Sequence, residues 1–440
     1  MQHAARKICD ITTASGLKAL LALCEPLLAE IHQCLPADRS ELVRKAIEKL
    51  HRELEFDELH IELLDGIGFR ALQARNAGLA FDNVRFVVHL NSASQIEREK
   101  EGRWPAGPND LFLDYMERYC YEHADAHDGR GGWLDEHIET YRWEKRAPTV
   151  IAAIDRPLVT VGIAHFNLGR YLPDTLLSLA EQTYQNLEVI IVDDGSTEAA
   201  SIEAIARLQR QYPRFRFLRQ PNSGIGATRN RLLAEARGEF FIPMDADNIA
   251  RPAMVETFVK AITRNPGLSA MTCYFQAFAD EALDRLIYAH RPTGGPHALS
   301  CIRNVYGDAN AIFRTADFRE VGGYETDRGT SCEDWEAYVK LIHAGKRIDV
   351  IPEYLFRYRH RVEGFSRATN WFDNHQRVLR QFNSINRLPA RDAALAWTAL
   401  LGFHRENVRL NERLRSFHYR TADALIAPFR WLKRFLKRHS

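Results

Sequence analysis

Apolar runs and helical patterns alternate through the middle of the chain. The apolar run Leu158–Ala164 predicts a buried strand, and the amphipathic stretch Arg170–Thr183 that follows it predicts a helix. Strands separated by helices of about 10–15 residues are typical of a doubly wound α/β sheet whose strands are parallel. The pattern continues with predicted strands at 187–192, 215–219 and 240–244 and predicted helices at 200–211, 227–236 and 252–263.

The segment before this region has a pattern of its own. Residues 17–55 are predicted to form amphipathic helices, because leucines recur there at helical spacing. Two apolar patches, Leu59–Leu64 and Val84–Leu90, flank a helical stretch and predict a βαβ unit. Proline and charge cluster in Trp143–Arg156, which indicates a boundary. We therefore predict an N-terminal α/β domain at 1–150, a second α/β domain at 157–385 and a helical C-terminal extension at 386–440.

The composition excludes several classes of protein. The 440 residues include 59 Lys and Arg against 58 Asp and Glu, which argues against a nucleic-acid-binding protein, because such domains are usually strongly basic. With 45% hydrophobic and 27% charged residues, the chain is typical of globular proteins. The seven cysteines are scattered and include no CxxC pair, so we expect neither a disulfide framework nor a structural zinc site.

The nearly neutral total hides an uneven distribution of charge. Gly402–Ser440 contains ten Lys and Arg against three Asp and Glu, so the rest of the chain is acidic. Within it, Leu425, Phe429, Leu432 and Leu436 lie at helical spacing among basic residues, which is typical either of a helix at an anionic membrane surface or of a solvated face. No stretch predicts a membrane span or an export signal. We therefore expect a cytoplasmic protein that is soluble or peripheral at the inner face of the membrane.

Polar clusters follow three of the predicted strands, at 165–167, 193–196 and 245–248. In open α/β sheets, ligands bind at the carboxyl ends of the strands. A single acidic strand end is usually a turn or a helix cap. Two carboxylate pairs at one edge are different, because like charges repel unless a cation or hydrogen-bond donors satisfy them. The pattern therefore favours a divalent metal, Mn²⁺ or Mg²⁺, that bridges to phosphate oxygens.

These clusters lie within a longer resemblance. Residues 157–362 closely resemble the family 2 glycosyltransferases, which have the GT-A fold. Each motif stands in the order and spacing of that family, so the set is far more specific than a lone DxD. The matching blocks are PLVTVGIAHFNLGRYLPDTLLSLAEQTYQNLEVIIVDDGS, NSGIGATRNRLLAEARGEFFIPMDADN, GDANAIFR, FREVGGYE, SCEDWEAYVKLIHAGKRI and PEYLFRYRHR.

The resemblance implies a nucleotide-sugar site at the strand ends. Phe166, together with His165, would line the pocket for the base, which can stack on an aromatic face. Asp193 and Asp194 would accept hydrogen bonds from the base or the ribose. The other residues implied on the donor side are Asn167, Arg229, Asp245 and Ala246.

The resemblance also implies a metal site and a general base. Asp245 and Asp247 form the DxD motif that would hold the divalent metal on the diphosphate of the donor. Asp334 matches the general base that would take the proton of the attacking hydroxyl. The further candidates are His360, as a third metal ligand, a phosphate contact or a structural residue, and Glu333 and Trp335, as acceptor contacts, with plain packing as the alternative for Trp335.

The implied function is inverting, metal-dependent transfer of a sugar from a nucleotide sugar, with a UDP-sugar favoured, to a hydroxyl acceptor. The expected acceptor is a growing surface glycan or a lipid-linked one. Two other interpretations stay open: a nucleotidyltransferase that makes a sugar nucleotide, and a non-catalytic scaffold that keeps the fold. Intact Asp245, Asp247 and Asp334 argue against the scaffold.

The N-terminal 150 residues show a second resemblance, to the N-terminal half of GT-B glycosyltransferases of family 4. It rests on FDELHIELLDGIGFRALQARNAG, VRFVVHLNSAS and FLDYMERYCYEHAD, and the nucleotide-binding half of a GT-B enzyme does not follow. This region is therefore either an acceptor-binding or docking module, or a remnant that packs on the catalytic domain or mediates oligomerisation. The residues of interest are His89, Asn91 and Ser92.

Overall fold

The computed structural model describes residues 7–13, 15–16, 20, 36–103, 105–129, 143–146, 156–280, 282–361 and 369–383. The predicted C-terminal extension at 386–440 and its basic amphipathic helix lie outside these residues. So do residues 21–35 of the predicted N-terminal helices and residues 147–155 of the predicted boundary. Among the described residues, no helix combines the length and the apolar character that crossing a membrane requires.

In the described part of the N-terminal region, four strands form a parallel sheet in the order β1-β2-β3-β4. The predicted βαβ unit is confirmed, since β2 and β3 are parallel neighbours and helix α2 connects them. The strands are β1 (Ile8–Asp10), β2 (Glu58–Glu62), β3 (Arg85–His89) and β4 (Ala126–Asp128). The helices are α1 (Pro36–Leu54), α2 (Phe69–Asn76), α3 (Ser94–Lys100) and α4 (Pro108–His123), with a 3₁₀ turn at Leu64–Gly66.

A second, nine-stranded sheet occupies the described residues from 156 onward, in the order β7-β6-β5-β8-β12-β10-β13-β9 with β11 beside β10. The four strands predicted from the alternation are parallel neighbours, as expected. The strands are β5 (Val159–His165), β6 (Leu187–Asp193), β7 (Arg216–Arg219), β8 (Phe240–Asp245), β9 (Ile249–Ala250), β10 (Ala270–Ala279), β11 (Ala282–His290), β12 (Ile312–Arg314) and β13 (Ile348–His360).

Beyond β8 the sheet is mixed, which the prediction of a parallel sheet did not include. Strands β10 and β11 are joined by a short connection and are therefore antiparallel, and β12 enters antiparallel between β8 and β10. The helices are α5 (Leu172–Ala180), α6 (Ala199–Gln211), α7 (Ile225–Glu235), α8 (Met254–Arg264), α9 (Thr315–Glu320), α10 (Glu333–His343) and α11 (Trp371–Asn383), with a 3₁₀ turn at His297–Cys301.

The sheet is covered by helices, so its central strands are buried on both faces. All seven residues of β5 are buried, which explains why its sequence is an almost continuous apolar run rather than an alternating one. Helix α8 buries Met254, Phe258 and Ile262 along one stripe, at helical spacing. With the strands held in this way, the polar residues at their carboxyl ends lie along one edge.

Candidate active site

The strand register brings the predicted residues together at this edge. His165 pairs with Asp193 on β6, and Ala164 pairs with Asp245 on β8. The last residues of three neighbouring strands therefore lie side by side. The structure confirms that the sequence clusters at 165–167, 193–196 and 245–248 share one place.

Asp193 belongs to a buried hydrogen-bond network rather than to the open cleft. Its Oδ1 lies 3.2 Å from His165 Nδ1 and accepts a hydrogen bond from the Ser196 backbone N–H at 3.1 Å. Burial raises the pKa of Asp193, but the hydrogen bonds from His165 and Ser196 outweigh it and lower that pKa below its ordinary value. The pair His165–Asp193 therefore holds the two strand ends together.

Asp194 shapes the loop before α7. Its carboxylate accepts hydrogen bonds from the backbone N–H groups of Ser223, at 2.8 Å, and Gly224, at 2.9 Å, and from Gln220 Nε2 at 2.8 Å. Gly224 has a φ of +88°, which L side chains rarely adopt, so glycine is required where this loop enters the helix. The Oδ2 atom of Asp193 has no hydrogen-bond partner among the described residues, and the predicted contact of Asp193 and Asp194 with the base or ribose stays a prediction.

Phe166 and Asn167 follow β5, and Phe166 is the more exposed of the two. Phe166 is 42% exposed, which leaves surface on which a planar base could stack. Asn167 Oδ1 accepts hydrogen bonds from the backbone N–H groups of Thr197 and Glu198 just before α6, at 2.9 and 3.1 Å. Asn167 therefore connects the loop after β5 to the loop before α6.

Arg229 connects the carboxyl end of β8 to the first turn of α10. This buried residue on α7 donates to Asp245 Oδ1 at 2.6 Å and to Glu333 Oε1 at 2.5 Å. Burial lowers the pKa of the guanidinium, but the charges of Asp245 and Glu333 outweigh burial and raise it well above its ordinary value. Arg229 thus holds Glu333 through Oε1, while the Oε2 atom of Glu333 is buried with no hydrogen-bond partner among the described residues, and its role as an acceptor contact stays a prediction. Asp245 keeps a side chain that is 27% exposed.

Asp247, the second carboxylate of the DxD motif, is paired with an arginine that the sequence prediction did not single out. Arg361 Nε donates to Asp247 Oδ2 at 2.6 Å, and Arg359 Nε donates to the backbone carbonyl of Asp247 at 3.1 Å. Burial and the charge of Asp245 raise the pKa of Asp247 to about 6, although Arg361 lowers it. Both arginines lie in the block Tyr358–Arg361, in which the sequence analysis assigned a candidate role only to His360.

The structure does not complete the three-ligand metal site suggested by His360. Among the described residues, no three His, Cys, Asp or Glu side chains are grouped so as to hold a metal ion. The two arginines that flank His360 hold Asp247, and the His360 ring instead meets Tyr288 edge-on at 6.0 Å between centroids. Asp245 and Asp247 remain as a pair of carboxylates separated by one residue, Ala246.

Asp334 lies in the first turn of α10, next to this charged network. The residue before the helix, Cys332, has a φ of +72°, a strained conformation for a residue with a side chain. Burial and the charge of Glu333 raise the pKa of Asp334 to about 7. The side chain therefore changes protonation state near neutral pH, which suits a group that accepts a proton.

Asp308 is an acidic residue of the site that the sequence reasoning left out. It lies in the loop before β12, and its backbone carbonyl accepts a hydrogen bond from the Tyr338 hydroxyl at 2.5 Å. Burial and the charges of Asp245 and Asp334 raise the pKa of Asp308 well above its ordinary value. Asp308 is the aspartate of the block GDANAIFR. This block is part of the family resemblance, but the sequence analysis gave its aspartate no role.

Two remaining candidates are packed in the core. Trp335 is 2% exposed and its indole N–H donates to the Ser300 carbonyl at 2.7 Å, which favours the packing interpretation. Ala246 is fully buried between the two carboxylates of the DxD motif.

In the N-terminal region, His89 ends β3, where its Nε2 lies 2.8 Å from His60 Nδ1. Asn91 Nδ2 donates to Glu62, and the Ser92 hydroxyl bonds to Glu97. These side chains interact with neighbours in their own domain, and their role in acceptor binding stays a prediction.

The chain was compared with known proteins. A model of glycosyl transferase family 2 matches residues 160–322, which include both strand-end aspartate pairs and Arg229. An uncharacterised glycosyltransferase of Methanocaldococcus jannaschii is 31% identical over 217 residues, which cover 48% of this chain and 73% of that protein. The chain belongs to the family 2 glycosyltransferases.

Other matches of this family 2 glycosyltransferase are shorter or more distant. The hyaluronan synthase of Pasteurella multocida is 32% identical over 132 residues, which cover 30% of this chain but 14% of the synthase. Three further curated relatives are matched over 31% to 39% of their own length. The crystal structure of S. aureus TarS 1-349 in complex with UDP-GlcNAc has a TM-score of 0.45 and 18% identity, and the match covers 55% of this chain and 71% of that one. The likeness of the N-terminal region to a GT-B half stays a prediction.

Proposed function

We propose that this chain is an inverting, metal-dependent glycosyltransferase that moves a sugar from a nucleotide sugar to a hydroxyl group of a glycan or lipid-linked acceptor. The observation that carries the proposal is that the acidic residues proposed for the donor and for the acceptor lie on different elements. Asp245 and Asp247 lie at the end of β8, whereas Asp334 lies on α10, and Arg229 connects the two sides through Glu333. One acidic pair is thus available for the donor and a different carboxyl group for the acceptor.

Asp334 has the properties of a general base. An alcohol is a poor nucleophile until a carboxylate within about 3 Å takes its proton, and a base works best when its pKa lies near the working pH. The pKa of Asp334 is raised to about 7, so the carboxylate is ionised above neutral pH and is more basic than an exposed one. A single base opposite the donor supports direct displacement, which inverts the sugar carbon.

Asp245 and Asp247 fit a divalent cation that takes its other ligands from phosphate oxygens. Burial and the charge of Asp245 raise the pKa of Asp247 to about 6, and a cation between the two carboxylates would offset both effects. Mn²⁺ and Mg²⁺ are commonly bound by one or two carboxylates plus substrate phosphates. When bound, such a metal would neutralise the charge that develops on the leaving nucleoside diphosphate.

The donor and acceptor follow from the surfaces left open and from the relatives. The exposed ring of Phe166 supports a stacked nucleotide base, and we propose a UDP-sugar. The resemblance of the core to a hyaluronan synthase supports a role in surface polysaccharide synthesis. We propose a cytoplasmic enzyme, soluble or peripheral at the inner face of the membrane, with its basic C-terminal segment as the element that would meet an anionic surface.

Ligand binding tests the donor half of the proposal. The full chain is screened by thermal unfolding with UDP, GDP, CDP, ADP and TDP and with the matching sugar nucleotides, each with and without Mn²⁺. One nucleotide is expected to raise the melting temperature in a metal-dependent manner, since ligand bound only to the folded state stabilises it by mass action. Failure of every nucleotide to shift the melting temperature would overturn the proposal.

Product analysis tests the reaction. Incubation of the enzyme with the sugar nucleotide that binds is expected to release a nucleoside diphosphate and a sugar transferred to water or to a glycan. Release of pyrophosphate in a reaction with nucleoside triphosphate and sugar phosphate would instead identify a nucleotidyltransferase. Binding without any turnover under these conditions, with glycan acceptors supplied, would favour the scaffold.

A further inference from the structure

One stretch of backbone lies between the N-terminal domain and the helix that carries Asp334. It comprises residues 291–308, between β11 and the approach to β12, and we call it the bridging segment. We propose that the N-terminal domain positions the acceptor side of the active site by holding this segment, with Arg70 and Gln73 as positioning residues. The expected effect on catalysis rests on the proposed function. The expected effect on the structure rests only on the packing described below.

Arg70, on α2 of the N-terminal domain, reaches the start of the bridging segment. Its side chain is fully buried, and Nη2 donates to the backbone carbonyls of Pro292 at 2.9 Å and Arg291 at 3.4 Å. Its guanidinium carbon lies 5.1 Å from the centre of the Tyr274 ring on β10. A buried charge of this kind is costly unless its partners are fixed, so the two carbonyls and Arg70 hold one another in place.

Gln73, one turn further along α2, continues the contact. Its Nε2 lies 3.3 Å from the Thr293 carbonyl and donates to Asp349 Oδ1 on β13 at 2.9 Å, and its Oε1 accepts a hydrogen bond from Arg70 at 2.7 Å. Tyr119 on α4 donates to the other oxygen of Asp349 at 2.7 Å. Three consecutive carbonyls of the bridging segment, at 291, 292 and 293, thus contact donors from the N-terminal domain.

Apolar packing from α4 reinforces these hydrogen bonds. The Tyr115 ring lies so close to Gly295 that a Cβ there would come within 2.5 Å of it. Leu111 and Phe112 belong to the hydrophobic core cluster of the catalytic domain that includes Leu299 and Trp335. The N-terminal domain therefore contributes side chains to the core beneath the site.

The opposite side of the bridging segment is bonded to α10. The Trp335 indole N–H donates to the Ser300 carbonyl at 2.7 Å, and the Tyr338 hydroxyl donates to the Asp308 carbonyl at 2.5 Å. Trp335 follows Asp334 directly. Through these contacts, the N-terminal domain holds the bridging segment, and the bridging segment in turn fixes Asp308 and the helix that carries the proposed base.

Hydrogen–deuterium exchange of the full chain tests the structural claim. The Arg70→Met variant, which keeps much of the side-chain volume, is expected to exchange at least about tenfold faster than the wild type in both 293–308 and 335–343. The control is Arg264→Met, because Arg264 on α8 is also buried at the domain interface but donates to Asp82 at 2.8 Å, away from the segment. Its faster exchange is expected near residues 75–82 and 254–265 only.

A milder variant keeps the test interpretable if Arg70→Met does not fold. Gln73→Leu removes the contacts with Thr293 and Asp349. This variant is expected to exchange faster than the wild type in the same two regions. Wild-type exchange at 335–343 in a folded Arg70 or Gln73 variant would overturn the inference. So would an equal change there in Arg264→Met, because the effect would then come from general loosening of the interface.

Kinetics test the catalytic consequence. With UDP-N-acetylglucosamine, UDP-glucose or GDP-mannose, whichever the wild type turns over, Arg70→Met is expected to lower kcat about tenfold while the affinity for the nucleoside diphosphate with Mn²⁺ stays unchanged. Arg264→Met is expected to keep the wild-type kcat. An equal kcat in the two variants contradicts the positioning role. A wild type that binds no nucleotide would overturn the proposed function, whereas the exchange experiment would still decide the structural claim.

Discussion

The guanidinium of Arg229 is bonded to Glu333 at 2.5 Å although the two residues lie 104 positions apart in sequence. The same guanidinium donates to Asp245, so one buried cation joins the donor edge of the sheet to the helix of the proposed base. Because the cation has a carboxylate on each side, neither carboxylate is buried without a counter-charge. The cleft is thus held together electrostatically before any substrate arrives.

Removal of Arg229 is expected to be strongly destabilising. Arg229→Met leaves the buried Glu333 and the partly exposed Asp245 without their partner, and loss of the buried pair costs about 3–5 kcal/mol of the free energy of unfolding. Urea unfolding followed by circular dichroism measures the loss. Arg216→Met is the matched control, since Arg216 is paired with Glu188 and Glu235 at a more exposed place, and its loss is expected to stay below about 1 kcal/mol. Equal losses in the two variants would contradict a special role for the buried bridge.

Asp334→Asn is expected to retain donor binding and lose transfer. The amide cannot accept the proton of the attacking hydroxyl, so nucleoside diphosphate release should fall by about 10²–10⁴-fold, while the nucleotide-induced thermal shift is kept. Asp373→Asn, an exposed aspartate on α11, serves as the control and is expected to behave as the wild type. If Asp334→Asn turned over at the wild-type rate, the assignment of the base would be wrong.

Turnover is expected to rise with pH and to reach half of its maximum near pH 7. The base works only when ionised, and burial together with Glu333 raises the pKa of Asp334 to about 7. Below this value, kcat should fall about tenfold per pH unit, because the ionised fraction falls in that proportion. A profile measured from pH 5 to 9 that stays flat through neutral pH would contradict this role for Asp334.

The raised pKa of Asp334 also predicts how stability depends on pH. Stability is expected to fall as the pH rises, whereas turnover is expected to rise. In the folded state Asp334 keeps its proton up to about pH 7, whereas in the unfolded chain it ionises near pH 4, so its contribution to stability is present below pH 4 and is lost as the pH rises to 7. Asp334→Asn avoids this loss. It is therefore expected to melt at a higher temperature than the wild type at pH 8, with a smaller difference at pH 5, in the absence of nucleotide and metal. A difference that does not change with pH would show that Asp334 has an ordinary pKa.

Phe166→Ala is expected to weaken nucleotide binding without unfolding the protein. Stacking of a base on an aromatic ring is worth about 1–3 kcal/mol, so the Kd for the nucleoside diphosphate should rise by roughly 5–150-fold by titration calorimetry. Phe372→Ala removes another exposed phenylalanine, 67% exposed on α11, and is expected to leave the Kd unchanged. Unchanged affinity in Phe166→Ala would place the base elsewhere.

The strands and helices between residues 158 and 263, and the position of the site at the strand ends, were predictable from the sequence. Apolar runs such as 158–164 and 187–192 are local signals, because a strand buried on both faces needs apolar residues throughout. Parallel pairing then brings the ends of these strands to one edge, which is why His165, Asp193 and Asp245 could be grouped without coordinates. The antiparallel pairing beyond β8 was missed, because the direction in which β10, β11 and β12 pair depends on which segments meet in the fold and not on the residues of each segment.

The partners of each side chain could not be predicted in this way. Asp247 meets Arg361, 114 positions away, and Asp349 meets Gln73, 276 positions away. Such contacts depend on how whole elements pack and leave no periodic mark on the chain. The alternation of residue types thus determined the elements between residues 158 and 263 and the edge of the sheet that carries the candidate site. Tertiary packing alone decided which carboxylates are paired, which have a raised pKa and what the N-terminal domain holds, because burial and distance between remote residues set those properties.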